Sequence, residues 1–146
     1  MEINRFKELQ IGLFNKKFSI EVMPKTAQKV TNFSEILPSK TLVYIAHLED
    51  TNISEMKYTC KRLIDEDMIP MPHIPARILK SFSELEEWIA QYSDVGVKRC
   101  LLLAGNNKAP KGSLNSSIQL LETGFFEKYG FEYINVAGHP EGNPDI

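Results

Sequence analysis

Glu21 stands inside an apolar, strand-like run, Phe18-Ser-Ile-Glu-Val-Met23. Alternation along a strand places Phe18, Ile20 and Val22 on one face and Ser19, Glu21 and Met23 on the other. On a sheet covered by helices, the apolar face meets the helices and Glu21 points away from them. A carboxyl buried there without a cation beside it is driven towards its neutral form and can serve as a general acid near neutral pH. The plainer role is a structural carboxylate bonded to backbone or to an arginine.

Further polar residues sit where later strand-like runs end. His73 lies in Met71-Pro-His-Ile-Pro-Ala-Arg77, an extended segment stiffened by prolines that suits positioning against a ligand. Loop backbone satisfying its ring is the alternative. Arg77 could bind an anionic group, although pairing with a surface acid fits as well. Leu101-Leu-Leu-Ala-Gly-Asn-Asn107 ends a fourth run; Gly105 permits close backbone approach, and Asn106 and Asn107 bring donors and acceptors. Gly-Asn is equally ordinary turn chemistry. The closing run, Asn135-Val-Ala-Gly-His-Pro-Glu-Gly-Asn-Pro-Asp-Ile146, passes from a strand into a turn carrying His139, Glu141, Asn143 and Asp145. Parallel-sheet enzymes keep their chemistry where strands end in loops. The chain therefore reads as ending in an active-site loop and not at a domain edge. The three histidines lack metal-ligand spacing, so no metal is expected.

These residues need elements to hold them. Strand-like runs cover Phe18–Met23, Thr41–His47, Met68–Ile74, Arg99–Ala104 and Glu132–Ala137. Helical patterns lie between. Asn52 with Glu55 starts one helix, with Met56, Cys60, Leu63 and Ile64 on its apolar stripe. Ser81 with Glu84 starts another, with Leu85, Trp88, Ile89 and Tyr92 inward. A third is predicted from Asn115 to about Phe126, and a short helical piece over Ala27–Leu37 stops at Pro38. The spacing is that of βα units, which predicts an α/β fold with a parallel sheet in a single domain, residues 1–146. Either an open doubly wound sheet or the first five strands of a (β/α)8 TIM-type barrel accommodates this order. No Gly-rich phosphate loop follows any strand, which disfavours a dinucleotide-binding or P-loop fold and tilts the choice to a partial barrel. A complete barrel typically takes about 250 residues, and this chain has 146.

Bulk properties exclude other classes. With 17 basic and 19 acidic residues and a net charge of −2, there is no footprint for nucleic acid. No apolar run approaches the ~20 residues of a membrane helix, and the N-terminus lacks a signal-peptide pattern. Cys60 and Cys100 fall on apolar stripes and read as reduced core residues. A cytoplasmic protein is expected.

Four segments in register resemble the methylenetetrahydrofolate reductase family: Ser19-Ile-Glu-Val-Met-Pro-Lys-Thr26, Pro72-His-Ile-Pro75, Leu102-Leu-Ala-Gly-Asn106 and Val136-Ala-Gly-His-Pro-Glu-Gly-Asn-Pro144. They occur in family order at strand ends and span most of the chain. The resemblance implies a (β/α)8 barrel that binds FAD and reduces 5,10-methylenetetrahydrofolate to 5-methyltetrahydrofolate with NAD(P)H. It implies a folate substrate, a nicotinamide dinucleotide donor, no nucleic acid or membrane partner, and a homo-oligomer as a candidate assembly. Glu21 then matches the catalytic glutamate, which helps protonate the folate as its imidazolidine ring opens. His73 matches a flavin-contacting histidine. Ala104, Gly105 and Asn106 match the segment along the flavin ring, and Ala137, His139 and Asn143 another cofactor-contacting stretch. The chain departs from the pattern where the family has Arg-Gly-Asp and this sequence has Ala104-Gly105-Asn106. It also has His139 in place of a usual Tyr and Asn143 in place of a frequent His. These changes leave two alternatives: a folate-binding barrel without flavin that handles one-carbon units in demethylation or the oxidative direction, and a non-catalytic partial barrel. With three strands of a barrel missing, the 146-residue chain alone is expected to be inactive.

Overall fold

The structure, a computed structural model, describes residues 18–138. Five strands, β1 (Ser19–Val22), β2 (Leu42–Ile45), β3 (Ile69–Pro75), β4 (Arg99–Leu103) and β5 (Tyr133–Val136), form one all-parallel sheet in the order β1-β2-β3-β4-β5. Each crossover advances one strand in the same direction. Because such crossovers are right-handed, the helices collect on one face. A doubly wound sheet would reverse direction and cover both faces; no reversal occurs among the described residues.

The alternation within each strand follows from this one-sided cover. Val43, Ile45, Ile74, Cys100 and Leu102 are fully buried against Met56, Leu63, Leu85, Ile89, Leu120 and Phe126 in a single apolar core. Glu21, Tyr44, Met71, His73, Leu101 and Asn135 project from the opposite, inner face, as their pairing shows: Glu21 beside Tyr44 beside Met71, and His73 beside Leu101 beside Asn135. Both cysteines are free and buried, as their place on apolar stripes predicts.

The prolines of β3 shape the sheet. Ile69 donates its N–H to the Thr41 carbonyl (2.9 Å). Successive residues of a parallel strand bond to alternate neighbours, so Ile69, Met71 and His73 face β2, and Pro70 and Pro72 face β4. Proline has no N–H to donate. Accordingly β3 pairs with β2 over Ile69–Pro72 and with β4 only from His73 onward.

Helix α1 (Pro24–Ala27) follows β1, and a 3-10 turn (Phe33–Glu35) follows it. This corrects the continuous helical piece predicted over Ala27–Leu37. Asn32 accepts from the Ser34 N–H (2.9 Å), and the Phe33 N–H is taken by Glu66 (2.6 Å), which stops any helix running through. Arg62 holds this connection down, donating to the carbonyls of Ala27 (2.9 Å) and Val30 (2.5 Å) while paired with Glu66 (2.6 Å).

Helices α2 (Ile53–Asp65) and α3 (Phe82–Asp94) start where their caps predict. Asn52 accepts from the Glu55 N–H (2.9 Å) and Ser81 from the Glu84 N–H (3.1 Å). The Glu84 carboxylate accepts from the Lys80 N–H (2.6 Å). The helix predicted from Asn115 to Phe126 is instead two, α4 (Ser117–Leu121) and α5 (Phe125–Lys128). Gly124 sits between them in the left-handed region at φ 70°, a conformation that ends a helix and favours glycine.

A 3-10 turn (Ala76–Ile78) links β3 to α3, and the loop after β4 lies across it. Arg77 donates its N–H to the Ala104 carbonyl (2.9 Å), and Lys111 donates to the Arg77 carbonyl (2.9 Å). Gly112 is pressed so closely here that a Cβ would stand 2.6 Å from the Lys80 carbonyl carbon. The substitution Gly112→Ala is therefore expected to lower unfolding stability by about 1–3 kcal/mol through overpacking. Urea denaturation checks this; an unchanged midpoint would show that the loop does not pack on this turn.

Candidate functional site

The sheet curls towards its inner face. In a flat sheet β2 and β5 would lie about 14 Å apart, three strand spacings. Yet Asn135 on β5 donates from Nδ2 to the Tyr44 hydroxyl on β2 (3.1 Å) and lies 3.6 Å from the Met71 sulfur. Inner-face side chains therefore converge across strands that do not pair.

Glu21 and His73 meet by the same curvature. Glu21 Oε2 lies 3.4 Å from His73 Nε2, although β2 separates their strands. The approach is not a hydrogen bond: Nε2 is buried with no partner among the described residues. Burial pulls the His73 pKa below the ordinary 6.5, with the Glu21 charge opposing in part. The Tyr44 ring stands edge-on to His73, centroids 6.0 Å apart. Glu21 itself is not buried as its strand pattern predicts. Its side chain is 61% exposed, because no helix among the described residues covers the inner face.

Above this pair, at the carboxyl ends of β2, β3 and β4, is a pocket of about 330 Å3. Glu21, His73, Gly105 and Asn106 all line it, so the structure brings together four of the residues singled out in the sequence. Gly105 adopts φ 92°, and a Cβ there would come within 3.1 Å of Pro75; a left-handed position so close to a neighbour requires glycine. Ala104 and Ala137 stand at strand ends in backbone roles, Ala104 accepting from Arg77 and Ala137 donating to Leu102 (2.9 Å). Neither lines this pocket. His139 and Asn143, with Glu141 and Asp145, lie outside the described residues.

Arg77 pairs with no acid among the described residues. Its guanidinium donates to the carbonyls of Asn107 (2.6 Å) and Lys108, holding the loop after β4 in place. On the other side, Lys111 pairs with Glu49 (3.0 Å), which keeps the Glu49 carboxyl below its usual range.

His47 is the residue that the sequence did not single out. It ends the second strand-like run, on the same alternation as Val43 and Ile45. Its ring stacks on Trp88 of α3, centroids 4.5 Å apart and 9° from parallel. The residue is 8% exposed. Its Nε2 lies 3.0 Å from the Thr51 carbonyl, which can only accept, so Nε2 carries the proton. Nδ1 is then a bare acceptor, and it has no partner among the described residues. The only cue in the sequence was a histidine at a strand's carboxyl end; its packing against Trp88 depends on chain far away.

Among the described residues, no group of three metal-ligating side chains is placed to hold an ion, and no helix is long and apolar enough to cross a membrane. No protein-family model matches the chain.

Burial lowers the His47 pKa from 6.5 to about 4, the Thr51 carbonyl opposing and the nearby His73 reinforcing. The folded state thus resists protonation that the unfolded chain accepts. Stability is complete above pH 6.5 and is lost as pH falls towards 4, by on the order of 3 kcal/mol. His73 shifts in the same direction and adds to the loss. Chemical denaturation at pH 7 and pH 4.5 measures this; His47→Phe is expected to flatten most of the dependence in that window.

Proposed function

We propose that this chain forms the substrate-handling part of an oxidoreductase of one-carbon metabolism, with the Glu21 carboxyl as proton donor to a reduced folate. The observation that carries the reading is the meeting of Glu21 and His73 on the face that no helix among the described residues covers, in a sheet wound in a single direction. That arrangement supports a (β/α)8-type barrel, in which active sites gather at the carboxyl ends of the strands. Resemblance to the methylenetetrahydrofolate reductase family supplies the reaction: reduction of 5,10-methylenetetrahydrofolate to 5-methyltetrahydrofolate with NAD(P)H.

Each residue has a task in this reading. Glu21 faces open space, where a substrate ring can lie against it, and would deliver a proton to the folate nitrogen released as the imidazolidine ring opens. His73 stands 3.4 Å from that carboxyl and would bound the space in which it moves. Tyr44 and Leu101 offer a flat, half-apolar floor for a fused ring. Asn135, tied to Tyr44, sets the position of that floor.

FAD, when bound, would supply the hydride. The inner face fits a flavin ring through Tyr44, His73 and the Gly105 backbone. The pocket at the strand ends fits the diphosphate poorly: among the described residues lining it there is no lysine or arginine, and Glu21 and Glu49 are acidic. Asn106, where the family carries Asp, offers hydrogen bonds without charge. This favours as a second reading a flavin-independent folate-binding barrel acting on one-carbon units. A cytoplasmic setting accords with both.

We expect bound flavin absorption, NAD(P)H-dependent turnover of methylenetetrahydrofolate, and a loss of about 100- to 10,000-fold in kcat for Glu21→Gln with the flavin spectrum intact. Methyltetrahydrofolate binding without any flavin spectrum would select the second reading. Undiminished turnover by Glu21→Gln would remove the carboxyl from the chemistry.

A further inference from the structure

The sheet consists of two ladders that share β3. The first pairs β1 with β2 and β2 with Ile69–Pro72; the second pairs His73–Pro75 with β4 and β4 with β5. Glu21 belongs to the first ladder and His73 to the second. Over Ile69–Pro72, β3 is not paired with β4, because Pro70 and Pro72 have no N–H to give. Asn135 spans that opening. From β5 it donates Nδ2 to the Tyr44 hydroxyl on β2 (3.1 Å), and the same nitrogen lies 3.6 Å from the Met71 sulfur on β3. A side-chain amide carries two N–H donors, so one residue serves both acceptors. Tyr44 stands in register between Glu21 and Met71, and its ring is edge-on to His73. Its hydroxyl reaches β5 only with the ring leaning over β3 and β4, away from β1. The space over β2 is then left to the Glu21 carboxyl, whose Oε2 comes within 3.4 Å of His73 Nε2.

We propose that the Tyr44–Asn135 bond is a clasp between the two ladders, and that Tyr44 and Asn135 are positioning residues that set Glu21 against His73. Backbone bonds hold Glu21 to β2 and His73 to β4. The separation of the two side chains depends on how the ladders meet at β3, and the clasp crosses the sheet where the backbone pairing is open. A net hydrogen bond favours its bonded arrangement by about fivefold. That is enough to bias the junction and too little to lock it, so the pair is held in place but can yield. The service of the clasp to proton donation rests on the reading of Glu21 as the donor. The clasp itself does not, and its test involves no folate, flavin or turnover.

The test titrates the full chain, with 15N-labelled histidine, by NMR and reads the His73 pKa with and without Glu21→Gln. The titratable groups that face His73 are Glu21, Tyr44 and His47. The Glu21 charge opposes the effect of burial on His73, so Glu21→Gln is expected to lower the His73 pKa in the otherwise unaltered protein. In Tyr44→Phe, which keeps the ring and removes the hydroxyl, the same substitution should lower it less, by about a third to a half, as the bonded arrangement loses its advantage. Asn135→Ala removes the same bond from an exposed position on β5 and should reproduce that change, which decides the matter if Tyr44→Phe does not fold. A role confined to stability would shift the unfolding midpoints and leave the coupling of Glu21 to His73 at its original size. Undiminished coupling in either folded variant would overturn the proposal. So would a His73 pKa that Glu21→Gln leaves unmoved in the otherwise unaltered protein. Failure of the reductase reading would change none of these titrations.

Discussion

Pro70 and Pro72 have no N–H to offer β4, and the sheet is arranged around that deficit. Proline in a central strand ordinarily removes a ladder bond. Here the first half of β3 pairs with β2, and the ladder passes to β4 only at His73. His73 is therefore the residue at which the sheet changes partners. The strand is extended and stiff on both sides of it, and its ring has little freedom to leave the inner face. Pro75, by the same alternation, faces the β2 side beyond the end of that strand, where no bond is lost. Three prolines in one strand are thus placed so that the pairing with β2 stays complete and the pairing with β4 starts late.

Curvature does the rest. Side chains stand roughly perpendicular to a strand, so a flat sheet would keep Glu21, His73 and Asn135 apart. The bond between Tyr44 and Asn135 and the approach of Glu21 to His73 both skip intervening strands. They are consequences of one geometric fact, a singly wound sheet bent towards its uncovered face. The outer face tolerates the bend because one continuous apolar core backs it. The inner face is only half filled, which leaves room beside Tyr44 and Leu101 for a ring.

Much of the architecture was legible because it depends on local chemistry. Asn52 and Ser81 announce their helices through bonds made within three residues, and the strand runs are apolar where a buried face must be. The helix breaks were less legible. Gly124 could have been tolerated inside a helix, and only its left-handed backbone divides α4 from α5. The interruption after Ala27 is caused by Glu66 and Arg62, which reach back from α2. The site divides the same way. Glu21 and His73 could be picked from strand position, but the exposure of Glu21 follows from a face that no helix among the described residues covers, which strand alternation alone does not reveal. His47 escaped because its role comes from Trp88 and from the loop carbonyl of Thr51, and Asn135 because its partner Tyr44 lies three strands away.

The loop after β4 joins these strands of argument. Its backbone is fixed from below by Arg77, which donates to the Asn107 and Lys108 carbonyls, and from the β2 side by Lys111 bound to Glu49. Arg77 and Lys111 are thus both engaged in holding loops. Asn106 keeps hydrogen-bonding capacity without charge, and Gly105 keeps the backbone close to Pro75. The result is a rim rich in hydrogen-bonding groups and, among the described residues, without a basic side chain in its lining, set above a floor where a carboxyl and an imidazole meet. A diphosphate finds no basic side chain among the described residues of that lining and would meet the Glu21 and Glu49 carboxylates there.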